Sequence, residues 1–113
     1  MAFGAGKHTP TTPDPVTEDQ VIKWTLRTFS TDYGVSEDRA LVTAVLLGWK
    51  ADDSSAKDSA GNQISKTVSY RGSDARTLID SMNVQDYSGV TTLDQWLLGQ
   101  FETDGHLPAG TVS

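Results

Sequence analysis

The side chains best suited to chemistry in this chain are two histidines and two neighbouring carboxylates. His8 lies near the start and His106 near the end, and neither is near a plausible nucleophile in a predicted helix or strand. A Ser-His-Asp arrangement therefore has no good candidate. Glu102 and Asp104 lie at the end of a predicted helix, where both carboxylates should face solvent instead of working as a pair. We expect a protein without catalytic activity and assign no catalytic residue.

Three aspartates, Asp52, Asp53 and Asp58, form the acidic group that most resembles a cation site. An EF-hand loop needs acidic or amide ligands at its first, third and fifth positions. A loop that started at Asp53 would place Lys57 at the fifth position, where a cationic side chain cannot be a ligand. We therefore predict a solvated acidic loop that holds no metal, and no cofactor is expected elsewhere.

Composition excludes several classes of function. Nine basic residues are scattered among fifteen acidic ones, which gives a net charge of −6 and no basic cluster to neutralise phosphates. Direct nucleic-acid binding is not expected. The absence of cysteine excludes disulfides and thiolate chemistry. No apolar run approaches the ~18 residues of a membrane span, and the N-terminus lacks the apolar region of a signal peptide. We expect a soluble protein that binds no membrane, in an unknown location.

The pattern of apolar residues predicts a mainly α fold, a small four-helix domain with one short strand. Residues 1–15 contain three prolines and are predicted to be an extended arm, either disordered or ordered on a neighbouring subunit. Residues 16–107 are predicted to form one compact domain, and residues 108–113 a tail. Residues 40–49 are the most apolar run, and are predicted to be a buried central helix.

The other helices are predicted from N-capping residues and from apolar residues that recur at helical spacing. A capping box at Thr17 opens a helix that ends at Gly34, a second helix starts at Ser36, a third at Ser73 and a fourth at Thr91 or Thr92. The core should contain four nearly fully buried residues, Leu26, Val45, Leu46 and Leu97. Glycine is unfavourable inside a helix. Gly48 and Gly99 therefore either mark a close approach of the second and fourth helices, or their presence in both helices is a coincidence.

The one predicted strand lies near residues 64–70, where Ile64, Val68 and Tyr70 alternate with polar residues. Lys66 interrupts the apolar side, which favours an edge position. A single strand needs a partner for its backbone groups. The candidates are Thr111-Val112, the loop around Val90, the polar segment before the strand, or another chain.

The predicted contact surface for a partner centres on Trp24. On a helical wheel Trp24 falls about 150° from the apolar stripe of its helix, beside Lys23 and Arg27. We predict that its indole is solvent-exposed in the isolated domain and covered by a partner, because tryptophan is enriched in interface hot spots. Val68 and Tyr70 of the unpaired strand complete the predicted partner-contact residues.

These features predict a non-catalytic assembly or interaction protein that contacts a protein partner or sister subunits. Small, cysteine-free chains rich in Thr, Ser and Gly, with an extended arm, are common among bacteriophage virion components. A decoration, minor capsid or connector subunit is the leading expectation. The alternative is a small acidic inhibitor or regulator that binds a basic protein.

Overall fold

The computed structural model describes residues 6–11, 21–84 and 93–113, and these form one antiparallel sheet and two helices. The strands are β1 (His8–Pro10), β2 (Lys23–Asp32), β3 (Leu41–Trp49), β4 (Ser65–Arg71) and β5 (Gly110–Val112). The helices are α1 (Ser73–Val84) and α2 (Leu93–Thr103). The strands lie in the order β4-β3-β2-β1-β5, and each adjacent pair is antiparallel. The prediction of a mainly helical, four-helix domain is therefore wrong.

The two longest strands occupy the segments for which the first two helices were predicted. β2 and β3 pair as a long hairpin from Lys23 opposite Trp49 to Asp32 opposite Leu41. Both segments are rich in Thr, Val and aromatic residues, which fit a pleated, half-buried surface. The predicted central helix is thus a central strand. The proposed helix start at Thr17 lies outside the described residues.

The connection between β2 and β3 explains why the chain reverses at Gly34. Gly34 has a φ of +77°, and its backbone N–H donates to Asp32 Oδ1 at 2.9 Å. A Cβ at Gly34 would lie 2.7 Å from backbone atoms of Ser36 and Ala40. The residues that were expected to cap the second helix instead form a short 3₁₀ turn, Glu37–Arg39.

The second half of the chain follows the sequence prediction more closely. β4 is a strand at the edge of the sheet, as the alternation and Lys66 indicated. Its partner is β3, which none of the sequence candidates anticipated, because that segment was predicted to be helical. Gly72, with a φ of +62°, ends β4, and α1 begins at Ser73. A helix is present where the fourth was predicted, as α2, but its proposed start at Thr91 or Thr92 lies outside the described residues. Gly105 follows its last turn with a φ of +84°.

One face of the sheet, the inner face, packs against both helices. The strands contribute Trp24, Leu26, Val42, Ala44, Leu46, Val68 and Tyr70, and the helices contribute Ala75, Leu78, Ile79, Leu93, Leu97, Leu98 and Phe101. Of the four predicted core residues, Leu26, Leu46 and Leu97 are buried, whereas Val45 is only partly buried. In a strand Val45 and Leu46 point to opposite faces, so both cannot enter the same core.

The first and last described strands, β1 and β5, are neighbours in the sheet. β1 lies between β2 and β5, and the backbone groups of Lys7 and Ser113 exchange two hydrogen bonds of 2.9 Å each. α2 holds this part of the arm as well, because the Gly6 N–H donates to the buried Asp94 carboxylate at 2.5 Å. Residues 6–10 are therefore bound to the chain's own sheet and helix.

Candidate interaction surface

The outer face of the sheet, opposite the helices, is covered by no helix or strand of the described residues. β2 and β4 place mostly polar side chains there, such as Thr25, Ser30, Thr67 and Ser69, as is usual for an antiparallel sheet with one solvated face. β3 does not follow this rule. Its outward residues are Leu41, Thr43, Val45, Leu47 and Trp49, all partly exposed.

We call Leu41, Val45, Leu47 and Trp49 the outer stripe. It runs along the middle of the exposed face, because β3 lies between β2 and β4. Four apolar side chains out of five outward positions make β3 apolar on both faces. Contiguous apolar surface on a soluble domain is uncommon and often marks a binding site.

Trp49 is held in position at one end of the outer stripe. Its indole Nε1–H donates to Thr25 Oγ1 on the neighbouring strand at 2.8 Å. A cavity of about 390 Å³ opens beside it, lined by Lys7, Lys23, Thr25, Leu26, Leu47, Trp49 and Asp53. A partner can therefore meet a tryptophan whose orientation is already fixed, which lowers the entropy lost on binding.

Charged residues lie around the stripe and not within it. Lys23 forms an ion pair with Asp53 at the mouth of the cavity, and its side chain is 16% exposed. Arg27 is exposed at a β-bulge, where Arg27 and Thr28 together lie opposite Val45. An apolar centre with a polar and charged rim is the usual arrangement of a protein–protein interface.

The residues predicted to contact a partner are distributed over both faces of the sheet. Lys23 and Arg27 lie on the outer side, but Trp24, Val68 and Tyr70 point into the core, with exposures of 2%, 1% and 7%. The predicted solvent exposure of Trp24 is wrong. Trp24 and Leu26 are two residues apart, so in a strand both side chains point to the same face. In the predicted helix the same spacing placed the two side chains on different sides.

A second depression, which we call the Tyr70 groove, lies between β4, α1 and α2. Its volume is about 490 Å³, and its lining residues are Ser69, Tyr70, Arg71, Asp74, Thr77, Leu78, Ser81, Gln100, Asp104 and His106. The Tyr70 hydroxyl donates to Asp104 Oδ2 at 2.7 Å, and Gln100 Nε2 donates to the same oxygen at 3.1 Å. The His106 ring meets Tyr70 edge-on, with 4.9 Å between ring centroids.

The electrostatics of this groove favour a structural role for Tyr70. Burial, and then the hydrogen bond to the Asp104 carboxylate, raise the pKa of Tyr70 far above its ordinary value. The phenol therefore remains protonated and acts as a hydrogen-bond donor. A nucleophile or general base would need a lowered pKa. The hydrogen bond from Tyr70 to Asp104 thus connects β4 to the end of α2.

The other ionisable residues singled out in the sequence have local partners. Asp52 accepts hydrogen bonds from the Ser54 hydroxyl at 2.5 Å and from the Ser54 N–H at 3.0 Å, which lower the pKa of Asp52. Asp58 accepts from the N–H groups of Ala60 and Asn62 at 2.9 and 3.1 Å. Such bonds are typical of turns.

The two carboxylates at the end of α2 point to different partners. Glu102 Oε1 lies 2.8 Å from Nε2 of His8, which is fully buried on β1. Asp104 instead accepts from Tyr70 in the groove. Glu102 and Asp104 therefore each stabilise a contact between α2 and the sheet. Across the described ranges, no three His, Asp or Glu side chains converge as metal ligands.

The sequence prediction placed residues 40–49 in a buried helix, so it did not expect any residue of the outer stripe at a surface. The available signal was the alternation in β2, β3 and β4 taken together. If residues 41–49 are read as a strand, the odd positions share one face with Thr25 and Thr67, which are polar. An apolar row beside polar neighbours would then have indicated a surface stripe.

No family model, curated protein sequence or solved structure matches this chain. None of the described helices has the length and apolar character needed to cross a membrane.

Proposed function

We propose that this protein is a non-catalytic assembly or interaction protein that binds a protein partner through the outer stripe of its sheet. The observation that supports the proposal most directly is the apolar outward side of β3, on a face where β2 and β4 place mostly polar side chains. Covering these residues would remove apolar surface from water, which is the main favourable term in protein association.

Trp49 is the proposed anchor of the interface. Tryptophan is enriched among residues that contribute most to binding, particularly near the centre of a contact. The hydrogen bond to Thr25 fixes its orientation, and the adjacent cavity offers space for a side chain of the partner. Lys23 and Asp53 at the cavity mouth would form part of the polar rim.

Composition supports the narrower proposal of a bacteriophage virion component, in the class of decoration, minor capsid or connector subunits. The chain is small, lacks cysteine and is rich in Thr, Ser and Gly. Proteins of this class act by being held in an assembly, which requires a partner surface and no catalytic residues.

Affinity capture of the tagged full chain from its native source, followed by sizing of the captured material, tests this function. The expected result is recovery of a multimeric particle or its subunits. Capture of one basic protein that dissociates as salt is raised would instead support an acidic regulator, because exposed charge pairs are screened by salt.

Variants of the outer stripe make the test specific. Trp49→Ala and Leu47→Lys should abolish capture while the circular dichroism spectrum remains that of the folded chain. Loss of an interface hot spot typically costs about 2 kcal/mol or more, or roughly 30-fold in affinity. Val35→Ala is the matched control, since Val35 is 98% exposed at the β2–β3 connection. Equal capture by Trp49→Ala and Val35→Ala would disprove the role of the stripe.

A further inference from the structure

The two edges of the sheet differ in length and protection. β5 forms one edge with only three residues, Gly110–Val112, and short edge strands are a common protection against unwanted pairing. β4 forms the other edge with seven residues, Ser65–Arg71. It contains no proline, and its pairing with β3 runs without a bulge from Leu41–Arg71 to Leu47–Ser65. β4 is therefore a regular strand, and no other described strand pairs with its second side.

The hydrogen-bond pattern shows which backbone groups of β4 face outward. The Gly48 N–H donates to the Ile64 carbonyl at 2.9 Å, and the Gly72 N–H donates to the Ala40 carbonyl at 3.0 Å. Hydrogen-bonded positions alternate in an antiparallel pair, so the even-numbered residues of β4 bond to β3. The odd-numbered residues direct their N–H and C=O away from it. These are Ser65, Thr67, Ser69 and Arg71, all exposed.

We propose that β4 pairs with β4 of a second copy of this chain, in antiparallel orientation about a two-fold axis at Val68. In this register Thr67 lies opposite Ser69 of the second copy, and Ser65 opposite Arg71. Each outward-facing residue then meets another outward-facing residue, so the free N–H and C=O groups of both strands pair. The two five-stranded sheets become one continuous sheet of ten strands.

Side chains on both faces are compatible with this register. On the outer face the opposed pairs are hydroxyl with hydroxyl and hydroxyl with guanidinium, so no like charges are opposed. On the inner face Lys66 lies opposite Tyr70 of the second copy, whose hydroxyl is bonded to the Asp104 carboxylate. Lys66 and its symmetry mate are four residues apart along the strands, about 13 Å. That separation exceeds the ~8 Å Debye length at physiological salt.

The charges of β4 are compatible with a second copy in this register. β4 contains two cationic residues, Lys66 and Arg71, and no acidic residue, whereas the whole chain has a net charge of −6. Both cationic residues lie opposite uncharged side chains of the second copy, while the two acidic subunits still repel at long range. Added salt should screen that repulsion and strengthen the dimer, whereas it would weaken binding to an oppositely charged partner.

Sedimentation equilibrium of the full chain with Thr67→Pro tests the dimer. Proline removes the outward N–H and leaves the bonds to β3 in place, and proline is tolerated on edge strands in this orientation. The expected result is a wild-type dimer and a dissociation constant at least tenfold weaker for Thr67→Pro. Thr67→Val, which keeps the N–H, should remain dimeric. A wild-type chain that stays monomeric at about 1 mM, or a dimer unaffected by Thr67→Pro, would overturn the proposal.

Cross-linking tests the register in a chain that has no cysteine of its own. In the double variant Thr67→Cys/Ser69→Cys, opposed Cα atoms would be about 5.5 Å apart, a distance that suits a disulfide. Mild oxidation should give a covalent dimer. Ser65→Cys alone should not, because its symmetry mate is six residues away along the strands. Efficient cross-linking by Ser65→Cys, or none by the double variant, would overturn the register.

This inference does not depend on the outer stripe. Trp49→Ala should leave the dimer intact, because Trp49 is on β3 and the contact is at the β4 edge. Thr67→Pro should leave the outer stripe folded. Failure of one proposal is therefore distinguishable from failure of the other.

Discussion

Trp24 and Gly48 lie directly opposite each other on β2 and β3, and the space that a side chain at position 48 would need is occupied by Val21. A Cβ at Gly48 would lie 2.9 Å from Cγ2 of Val21 and 3.4 Å from Cζ3 of Trp24. Val21 and Trp24 are both buried, so neither can move away easily. Gly48 thus provides room for the Val21 side chain, with the Trp24 indole in van der Waals contact beside it.

Alanine at Gly48 and at Gly99 should have opposite effects. Gly48→Ala should lower the free energy of unfolding by about 1–3 kcal/mol, the usual cost of overpacking a core. Gly99→Ala should raise it by up to about 1 kcal/mol, because alanine is the better helix former and a Cβ there meets no atom of the described residues within 4 Å. Urea denaturation of the two variants provides the measurement. Equal effects at both sites would mean that Gly48 is not closely packed against Val21, or that Gly99 is not in open surroundings.

Replacing Trp24 should severely destabilise the chain. Trp24 is 2% exposed, and its ring also lies 5.0 Å from Lys66 Nζ in a cation–π contact. Trp24→Ala should cost about 3–5 kcal/mol, as large-to-small aromatic substitutions in cores do. Thermal melting followed by far-ultraviolet circular dichroism measures the loss. A change within about 0.5 kcal/mol, the range typical of surface positions, would mean that Trp24 is outside the core.

Within the described residues, the helical prediction for residues 21–33 failed because of the β-bulge in β2. Leu26 and Phe29 share the inner face although they are three residues apart, since the bulge adds one residue between them. A spacing of three imitates a helix turn, whereas the strand period is two. The Thr residues at 25, 28 and 31 were the contrary signal, because β-branched residues favour strands.

The prediction for residues 40–49 failed for a different reason. β3 is apolar on both faces, and a short continuous apolar run does not distinguish a buried helix from a buried strand. Tertiary pairing with β2 and β4 decides the conformation. By contrast, β4 and α1 were predictable, because their alternation, Gly72 and Ser73 are local signals. The outer stripe could not be identified until β3 was known to be a strand.

Two adjacent residues of β3 should respond differently to truncation. Leu46 is fully buried on the inner face, so Leu46→Ala should cost about 2–5 kcal/mol. Val45 lies on the outer face and is partly exposed, so Val45→Ala should cost about 1 kcal/mol, mainly from lost β propensity. The midpoints of urea unfolding compare the two. A larger loss for Val45→Ala would reverse the assignment of the faces.

The hydrogen bond between Tyr70 and Asp104 should make stability depend on alkaline pH. The pKa of Tyr70 is raised in the folded chain, first by burial and then by the Asp104 carboxylate. A raised pKa means that the folded state favours the protonated phenol. The contribution of Tyr70 to stability is therefore fully present below its unfolded pKa of about 10 and is lost as pH rises above that value.

Tyr70→Phe removes both the hydrogen bond and the titrating group. At pH 7 it should lower the free energy of unfolding by about 1.5–3 kcal/mol, the range for hydrogen bonds to charged groups. Since the wild type alone loses stability above pH about 10, the difference between the two proteins should shrink there. Urea unfolding across the alkaline range measures this difference. If it stays constant from pH 8 to about 11, the Tyr70 phenol does not have the raised pKa that its buried contact with Asp104 requires.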